Sequence, residues 1–133
     1  MASGRRMRLA ALAAVGLGWL AAVEAADTAR IDAQALLERI ENRDADLLVL
    51  DVRTAQEYAE GHVPGAVNIH YTHLPARISE LPWAASRDIV LYCTVGVRAE
   101  RAANRLREHG YLRLLHLDGD MRGWRKRGLP IEK

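Results

Sequence analysis

The sequence predicts an α/β domain with a mostly parallel central sheet and helices on both faces. Two short apolar runs, residues 46–52 and 88–92, are continuous rather than alternating, which is typical of strands buried on both faces. Segments with the apolar spacing of helices lie between and around these runs. Strands that alternate with helices in this way favour a three-layer domain in which the helices cover a parallel sheet.

The first half of the predicted domain contains a helix, a strand, a second helix and a short second strand: residues 31–40, 46–52, 55–60 and 67–69. Asp32 is a suitable N-cap for the first helix. Thr54 caps the second helix, and Glu57 stands at its third position, which is the pattern of a capping box. Gly61 ends that helix.

The second half contains a helix over residues 74–81, a strand, a long helix, another strand and a last short helix that Pro130 terminates. Pro75 interrupts the first of these helices early and Pro82 stops it. The strand and the long helix are residues 88–92 and 98–109, followed by a strand over 112–117.

The first 25 residues are expected to be a secretory signal peptide that is removed after Ala25. Three arginines precede an apolar stretch over residues 9–23, and Val23-Glu24-Ala25 fits the small-residue pattern of a cleavage site. The stretch is shorter than the roughly 20 residues of a membrane span, which favours cleavage over the alternative of an uncleaved membrane anchor. We therefore expect a periplasmic protein whose residues 26–133 form a single domain.

The charge of the domain argues against nucleic-acid binding. The whole chain has 19 Lys and Arg against 17 Asp and Glu, but without residues 1–25 it has 16 of each. A formally neutral domain lacks the basic patch that nucleic-acid binding requires. The single cysteine, Cys93, cannot form a disulfide within its own chain, and in an exported protein this favours a thiol kept for its reactivity. A monomer is expected.

The strongest candidate for chemistry is the loop from Cys93 to Arg98, which joins a predicted strand to a predicted helix. Backbone N–H groups at the start of a helix have no partner within it, and together with the helix dipole they favour an anion in the loop. Cysteines in such places are the reactive kind, whereas a cysteine that ends a buried strand can equally be a small core residue. Gly96 permits a tight turn and Arg98 adds a fixed cation, so both favour the reactive alternative.

Four segments, taken together in their order and spacing, resemble a rhodanese domain. They cover essentially the whole predicted domain: Leu50 to Tyr58, Gly61 to Ile69, Cys93 to Arg98, and Leu117 to Trp124 with Gly128-Leu129-Pro130 beyond. With its exported leader, the chain is similar to the phage-shock-type periplasmic rhodaneses.

The resemblance implies a sulfurtransferase. The Cys93 thiolate would take a sulfane sulfur from thiosulfate, or a similar donor, and pass it from a persulfide to an acceptor such as cyanide or a thiol. The N–H groups of the loop would stabilise the sulfur anion as an oxyanion hole does, and they belong to Thr94, Val95, Gly96, Val97 and Arg98. Covalent catalysis of this kind needs no metal and no organic cofactor. The implied partners are a small-molecule sulfur donor and acceptor, with a thiol-containing redox protein as a further acceptor.

Two other functions stay open at the level of sequence. The family's phosphatase relatives have a loop one residue longer, wide enough for phosphate, whereas the six residues from Cys93 to Arg98 are expected to hold only a sulfur atom. The second alternative is a catalytically silent rhodanese-like binding module. Such modules typically lack the cysteine that this chain keeps.

Three charged residues near the loop are also predicted to contribute to substrate binding. Arg98 is expected to bind the anionic donor and to shape the loop, and the alternative is that it only braces the loop through a carboxylate. Asp51 and Arg53 lie at the end of the strand at 46–52, next to the strand that leads into the loop, so they are placed at the border of the substrate pocket. For Arg53 a structural role, pairing with Glu57 or capping local carbonyls, is the stronger alternative.

Three aromatic or imidazole side chains are assigned structural places. His62 is expected to make a structural hydrogen bond in its Gly-His-Val-Pro-Gly turn, because transfer by a preformed thiolate needs no general base. Trp124 is expected to pack in the core or at the rim of the pocket, and His116 to lie on the surface of a strand.

Overall fold

The computed structural model describes residues 27–81 and 83–133. The predicted signal peptide, residues 1–25, and the helix-stopping Pro82 lie outside the described residues. Within the described ranges the regular elements follow in the order β1 (Ala29–Ile31), α1 (Ala33–Glu41), β2 (Leu47–Asp51), α2 (Ala55–Glu60), β3 (Val67–Asn68), β4 (Asp88–Tyr92), α3 (Val97–Glu108), β5 (Leu114–Leu117) and α4 (Asp120–Lys126). Short 3-10 helices connect β3 to β4 at Tyr71–His73, Ala76–Glu80 and Ala84–Ser86.

The strands form one parallel sheet in the order β1-β5-β4-β2-β3, which confirms the predicted sheet. β4 lies at the centre, between β5 and β2. The loops that follow these three strands therefore meet at one edge of the sheet, where ligands of open α/β sheets bind. Asp51 and Tyr92, the last residues of β2 and β4, lie directly opposite each other.

Helices cover both faces of the sheet, as predicted. On one face, Leu50 and Leu91 pack with α3 and the 3-10 segments. On the other, Val90 packs with α1 and α4. Burying a side chain of this size fully stabilises the fold by about 1.5–3 kcal/mol. Two apolar layers of this kind explain why the central strands are continuous apolar runs.

The predicted helix caps are confirmed. The Asp32 carboxylate accepts hydrogen bonds from the N–H groups of Gln34 and Ala35 at the start of α1. Thr54 and Glu57 form the reciprocal bonds of a capping box at the start of α2. Gly61 follows the last residue of that helix.

Some elements differ from the prediction. Ala29–Ile31 is a strand, whereas Ile31 was expected to begin a helix. The segment expected to be a helix over 74–81 is a 3-10 helix, Ala76–Glu80, and β5 begins at Leu114 because Leu112 is exposed. Among the described residues, none of the helices combines the length and the hydrophobicity that spanning a bilayer requires.

Candidate active site

The Cys93 loop lies between β4 and α3, at the carboxyl edge of the sheet. Cys93 is buried, and its Sγ accepts a hydrogen bond from the N–H of Gly96 at 3.0 Å. Gly96 is the N-cap of α3 and has a φ of 113°, in a region that favours glycine. The sulfur therefore lies at the positive end of a twelve-residue helix, in contact with a backbone donor.

The start of α4 anchors the loop from the β5 side. The N–H of Cys93 donates to Oδ1 of Asp120 at 3.0 Å, and the carbonyl of Cys93 accepts from the N–H of Met121 at 2.9 Å. The carbonyl of Thr94 accepts from the N–H of Arg122 at 3.2 Å. These bonds fix the backbone on both sides of the cysteine side chain.

Arg98 anchors the loop from the α2 side. Its guanidinium donates two hydrogen bonds to the carboxylate of Glu57, at 2.7 and 2.9 Å, and a third to Oγ1 of Thr94 at 3.1 Å. The bond from Arg98 lowers the pKa of Glu57 to about 2. In return Glu57, and to a lesser degree Cys93, raise the pKa of Arg98. The guanidinium thus braces the loop through a carboxylate, as the structural alternative for this residue requires.

Asp51 and Arg53 form a buried ion pair behind the loop. Arg53 Nη2 lies 2.6 Å from Oδ2 of Asp51 and also donates to the carbonyl of Gly61 at 2.8 Å. Asp51 is fully buried and accepts a further bond from the hydroxyl of Tyr92 at 2.7 Å. Burial, and then the charge of Asp51, raise the pKa of Tyr92.

This burial corrects the placement of Asp51 and Arg53 at the border of the substrate pocket. Their polar atoms are bonded to each other and to the protein, so neither side chain offers a free charge to an entering anion. The structural alternative for Arg53 is confirmed in one of its two forms: Arg53 caps the carbonyl of Gly61, whereas Glu57 pairs with Arg98. The pair instead ties the end of β2 to the start of the turn at Gly61.

His116 is not on the surface, which corrects the expectation for that residue. It is 2% exposed, with Nε2 2.9 Å from Oδ1 of Asp120 and Nδ1 3.2 Å from Oε1 of Glu100. Burial alone would lower the pKa of His116, but the two carboxylates outweigh it and the net direction is upward.

Asp120 is a site residue that sequence reasoning missed. Its carboxylate reaches both Cys93 and His116, and its backbone φ of 53° is unusual for a residue other than glycine. A signal was available in the sequence, since an aspartate directly after a turn glycine tolerates this conformation better than most residues.

The rim of the loop is partly apolar. Val95 and Val97 are 54% and 60% exposed, and they border a cleft of about 440 Å³ that is also lined by Arg30, Arg101 and His116. Thr94 is half-buried between Arg98 and the backbone of α4.

His62 and Trp124 have the expected structural roles, a hydrogen bond in the turn and packing in the core. The ring of His62 stacks on Tyr58, with centroids 3.7 Å apart, and its Nδ1 lies 2.9 Å from the carbonyl of Tyr58. Trp124 is fully buried and donates to the carbonyl of Pro130.

Comparison with known proteins matches residues 32–127 to the family model described as "Rhodanese-like domain". A protein of Allochromatium vinosum named "Sulfurtransferase" is 39% identical over 101 residues, covering 76% of this chain and 92% of that protein. The solution structure of the rhodanese-like domain of the Anabaena sp. Alr3790 protein has a TM-score of 0.69 at 32% identity and covers 77% of each chain. The crystal structure of a rhodanese-related protein from Thermoplasma volcanium has a TM-score of 0.67 at 26% identity, covering 78% of this chain and 97% of that one.

Proposed function

The chain belongs to the rhodanese-like domain family, and from that membership we propose that it transfers a sulfane sulfur through a persulfide on Cys93. The proposed donor is thiosulfate or a similar compound, and the proposed acceptor is cyanide or a thiol. Family membership and the sulfurtransferase relative support sulfur transfer in general. The single observation that carries the role of Cys93 is the 3.0 Å contact between its Sγ and the N–H of Gly96 at the start of α3.

In the first step the Cys93 thiolate attacks the sulfane sulfur of the donor. A new S–S bond forms, the S–S bond of thiosulfate breaks, and sulfite leaves with the electron pair of that bond. Both the attacking thiolate and the resulting persulfide carry negative charge on sulfur. The Gly96 N–H and the dipole of α3 stabilise an anion at this place before and after the transfer.

In the second step the acceptor attacks the outer sulfur of the persulfide. With cyanide, a C–S bond forms, the persulfide S–S bond breaks, and its electrons return to Cys93 as a thiolate while thiocyanate leaves. Neither step transfers a proton, so the mechanism assigns no general base. This agrees with the two carboxylates that are bonded to the loop, Glu57 and Asp120, since both already hold partners in Arg98 and His116.

Phosphate-ester hydrolysis is the competing enzymatic function, and the size of the loop disfavours it. The six residues from Cys93 to Arg98 close on a cysteine that is 1% exposed, with Gly96 N–H already on its sulfur. The Arg98 guanidinium is already bonded, with two hydrogen bonds to the Glu57 carboxylate and one to Oγ1 of Thr94, so it is not free to hold a phosphate. A silent binding module is disfavoured because the cysteine and its anion-stabilising surroundings are both kept.

The test compares the wild type with Cys93→Ser in two assays, thiocyanate formation from thiosulfate and cyanide, and release of phosphate from an aryl phosphate. The proposal predicts thiocyanate from the wild type, none above background from Cys93→Ser, and no phosphate from either. Phosphate release that depends on Cys93 would support the competing enzyme. No product in either assay from folded wild type would support the silent module.

The proposed cellular setting is the periplasm, with the chain cleaved after Ala25 and acting as a monomer on a small-molecule donor and acceptor or on a thiol-containing redox protein. The support for export is the pattern of residues 1–25. Mass spectrometry of the protein isolated from its source cells tests cleavage. A chain that still begins at Met1 or Ala2 would contradict it.

A further inference from the structure

A buried imidazole–carboxylate pair, His116 and Asp120, lies directly behind the Cys93 loop. The two side chains are 2% and 3% exposed and 2.9 Å apart. The same Oδ1 of Asp120 accepts the N–H of Cys93 at 3.0 Å. The backbone of Asp120 is held in a left-handed conformation, φ 53°, that an L-residue adopts at some energetic cost. These bonds place a carboxylate next to the reactive cysteine.

The pair also supports the residue that donates to the sulfur. A Cβ on Gly96 would lie 3.0 Å from Oδ2 of Asp120 and 3.1 Å from Cε1 of His116, so the Gly96 backbone rests against both side chains. Gly96 in turn donates its N–H to Sγ of Cys93. The pair thus binds the N–H of Cys93 directly and packs against the backbone of Gly96, whose N–H donates to the sulfur.

The net charge of the His116–Asp120 pair affects the stability of an anion on the Cys93 sulfur. An unpaired carboxylate behind the loop would repel a thiolate, a persulfide anion and an anionic donor. When His116 is protonated, its positive charge compensates the negative charge of the Asp120 carboxylate, 2.9 Å away. Other charged groups also face His116, namely Glu100 of α3 at its Nδ1 and Arg30 of β1 across the cleft. Arg30 also lies 3.4 Å from Asp118, and Glu100 also accepts from Thr28.

We propose that His116 and Asp120 are positioning residues that hold the anion-stabilising form of the Cys93 loop, and that the proton on His116 neutralises Asp120 beside the sulfur. As applied to the persulfide, this rests on the proposed function; as applied to the thiolate, it stands on the geometry of the loop alone. His116 lines the cleft beside the loop, so its proton can exchange with solvent.

The test uses the single cysteine as its own probe. Alkylation by iodoacetate, an anion, is compared with alkylation by iodoacetamide, which is neutral, at about pH 6 and about pH 9, on either side of the histidine range. Both reagents react with the thiolate, so the ratio of their second-order rates cancels the thiolate fraction and reports the local charge. In the wild type the ratio is expected to fall about fivefold at the higher pH, when His116 loses its proton and Asp120 is left uncompensated.

Substitutions at His116 and Asp120 distinguish an effect of the pair's charge on the loop from an effect of its packing. In His116→Gln the ratio is expected to be low at both pH values, because the carboxylate is never neutralised. Adding Asp120→Asn to that variant is expected to restore the wild-type ratio of the lower pH, since asparagine keeps an acceptor for the Cys93 N–H and tolerates a positive φ. A purely structural role predicts that the second substitution makes the loop worse. His109→Gln, an exposed histidine at the far end of α3, is the matched control and should behave as the wild type.

A ratio that is the same at both pH values in the wild type, or a double variant no better than His116→Gln, would overturn the inference. If His116→Gln fails to fold, Asp120→Asn alone decides, because its ratio at the higher pH should exceed that of the wild type. If the proposed function is wrong but this inference is right, the two assays give different answers. In that case the ratios respond as described while the wild type forms no thiocyanate.

Discussion

The ion pair between Glu57 and Arg98 gives the sharpest stability prediction, with Glu57→Gln as the perturbation. Glutamine at the third position of α2 still suits a capping box, so the bond to the Thr54 N–H can persist while the charge is removed. What is lost is the paired interaction with Arg98 at 2.7 and 2.9 Å, which ties α2 to the start of α3.

The magnitude follows from the pKa of Glu57. Its lowering from 4.5 to about 2 corresponds to about 3 kcal/mol of stabilisation of the carboxylate. Both side chains remain partly exposed, 32% for Glu57 and 25% for Arg98, so solvent screening reduces this figure. We expect the free energy of unfolding at pH 7 to fall by about 1–2 kcal/mol.

The sign of the pH dependence is set by the direction of the shift. Because the folded pKa lies below the unfolded one, the stabilisation is complete above about 4.5 and is lost as the pH falls through the range down to about 2. Urea unfolding followed by circular dichroism at several pH values measures this. The difference between wild type and Glu57→Gln should shrink towards zero with acid. Glu60→Gln on the same helix is the matched control, because among the described residues the Glu60 carboxylate has a hydrogen bond with Gln56 and no ion pair, and it should stay within about 0.5 kcal/mol of the wild type. A difference that does not change with pH, or one no larger than the control's, would show that the ion pair with Arg98 does not stabilise the fold.

Three further substitutions test the supports of the loop. Arg53→Ala should lower the free energy of unfolding by about 3–5 kcal/mol, because it leaves Asp51 charged and buried; urea unfolding measures this, and an effect near zero would show that the pair is not structural. Tyr92→Phe should cost about 1–3 kcal/mol by removing the hydroxyl that joins Asp51 to the Val63 N–H, and an unchanged unfolding midpoint would contradict that role. Gly96→Ala should reduce thiocyanate formation at least about tenfold while circular dichroism stays native, since its Cβ would crowd Asp120 and its φ is left-handed; full activity would mean that the loop tolerates a different backbone.

The parts of the fold that local sequence determines were predictable. β4 is a continuous apolar run, and its bounds, Asp88–Tyr92, agree with the prediction. The caps at Asp32 and Thr54 depend on residues three or fewer positions away, so they too follow from sequence. β1 has only three residues, mostly exposed, and exists because it pairs with β5 near the other end of the chain. No local pattern carries that information.

In the candidate site, too, the features set by neighbouring residues were predictable and those set by contacts between distant segments were not. The cysteine, the glycine and the helix that follows them are contiguous, so the loop could be identified directly. Glu57 was recognised as a cap, but its second contact, with Arg98, joins two elements that only the sheet brings together. His116 was misplaced because a strand covered on both faces has no exposed side, so alternation along it does not put a polar residue at the surface.

If Cys93 itself carries the transferred sulfur, the mass of the intact protein must change during the reaction. Wild type mixed with thiosulfate and then freed of small molecules should gain the mass of one sulfur atom, and added cyanide should remove that mass with formation of an equal amount of thiocyanate. Cys93→Ser should gain nothing under the same conditions. Thiocyanate formed by a wild-type protein that never carries the extra sulfur, or an equal gain of sulfur by Cys93→Ser, would show that Cys93 is not the sulfur carrier.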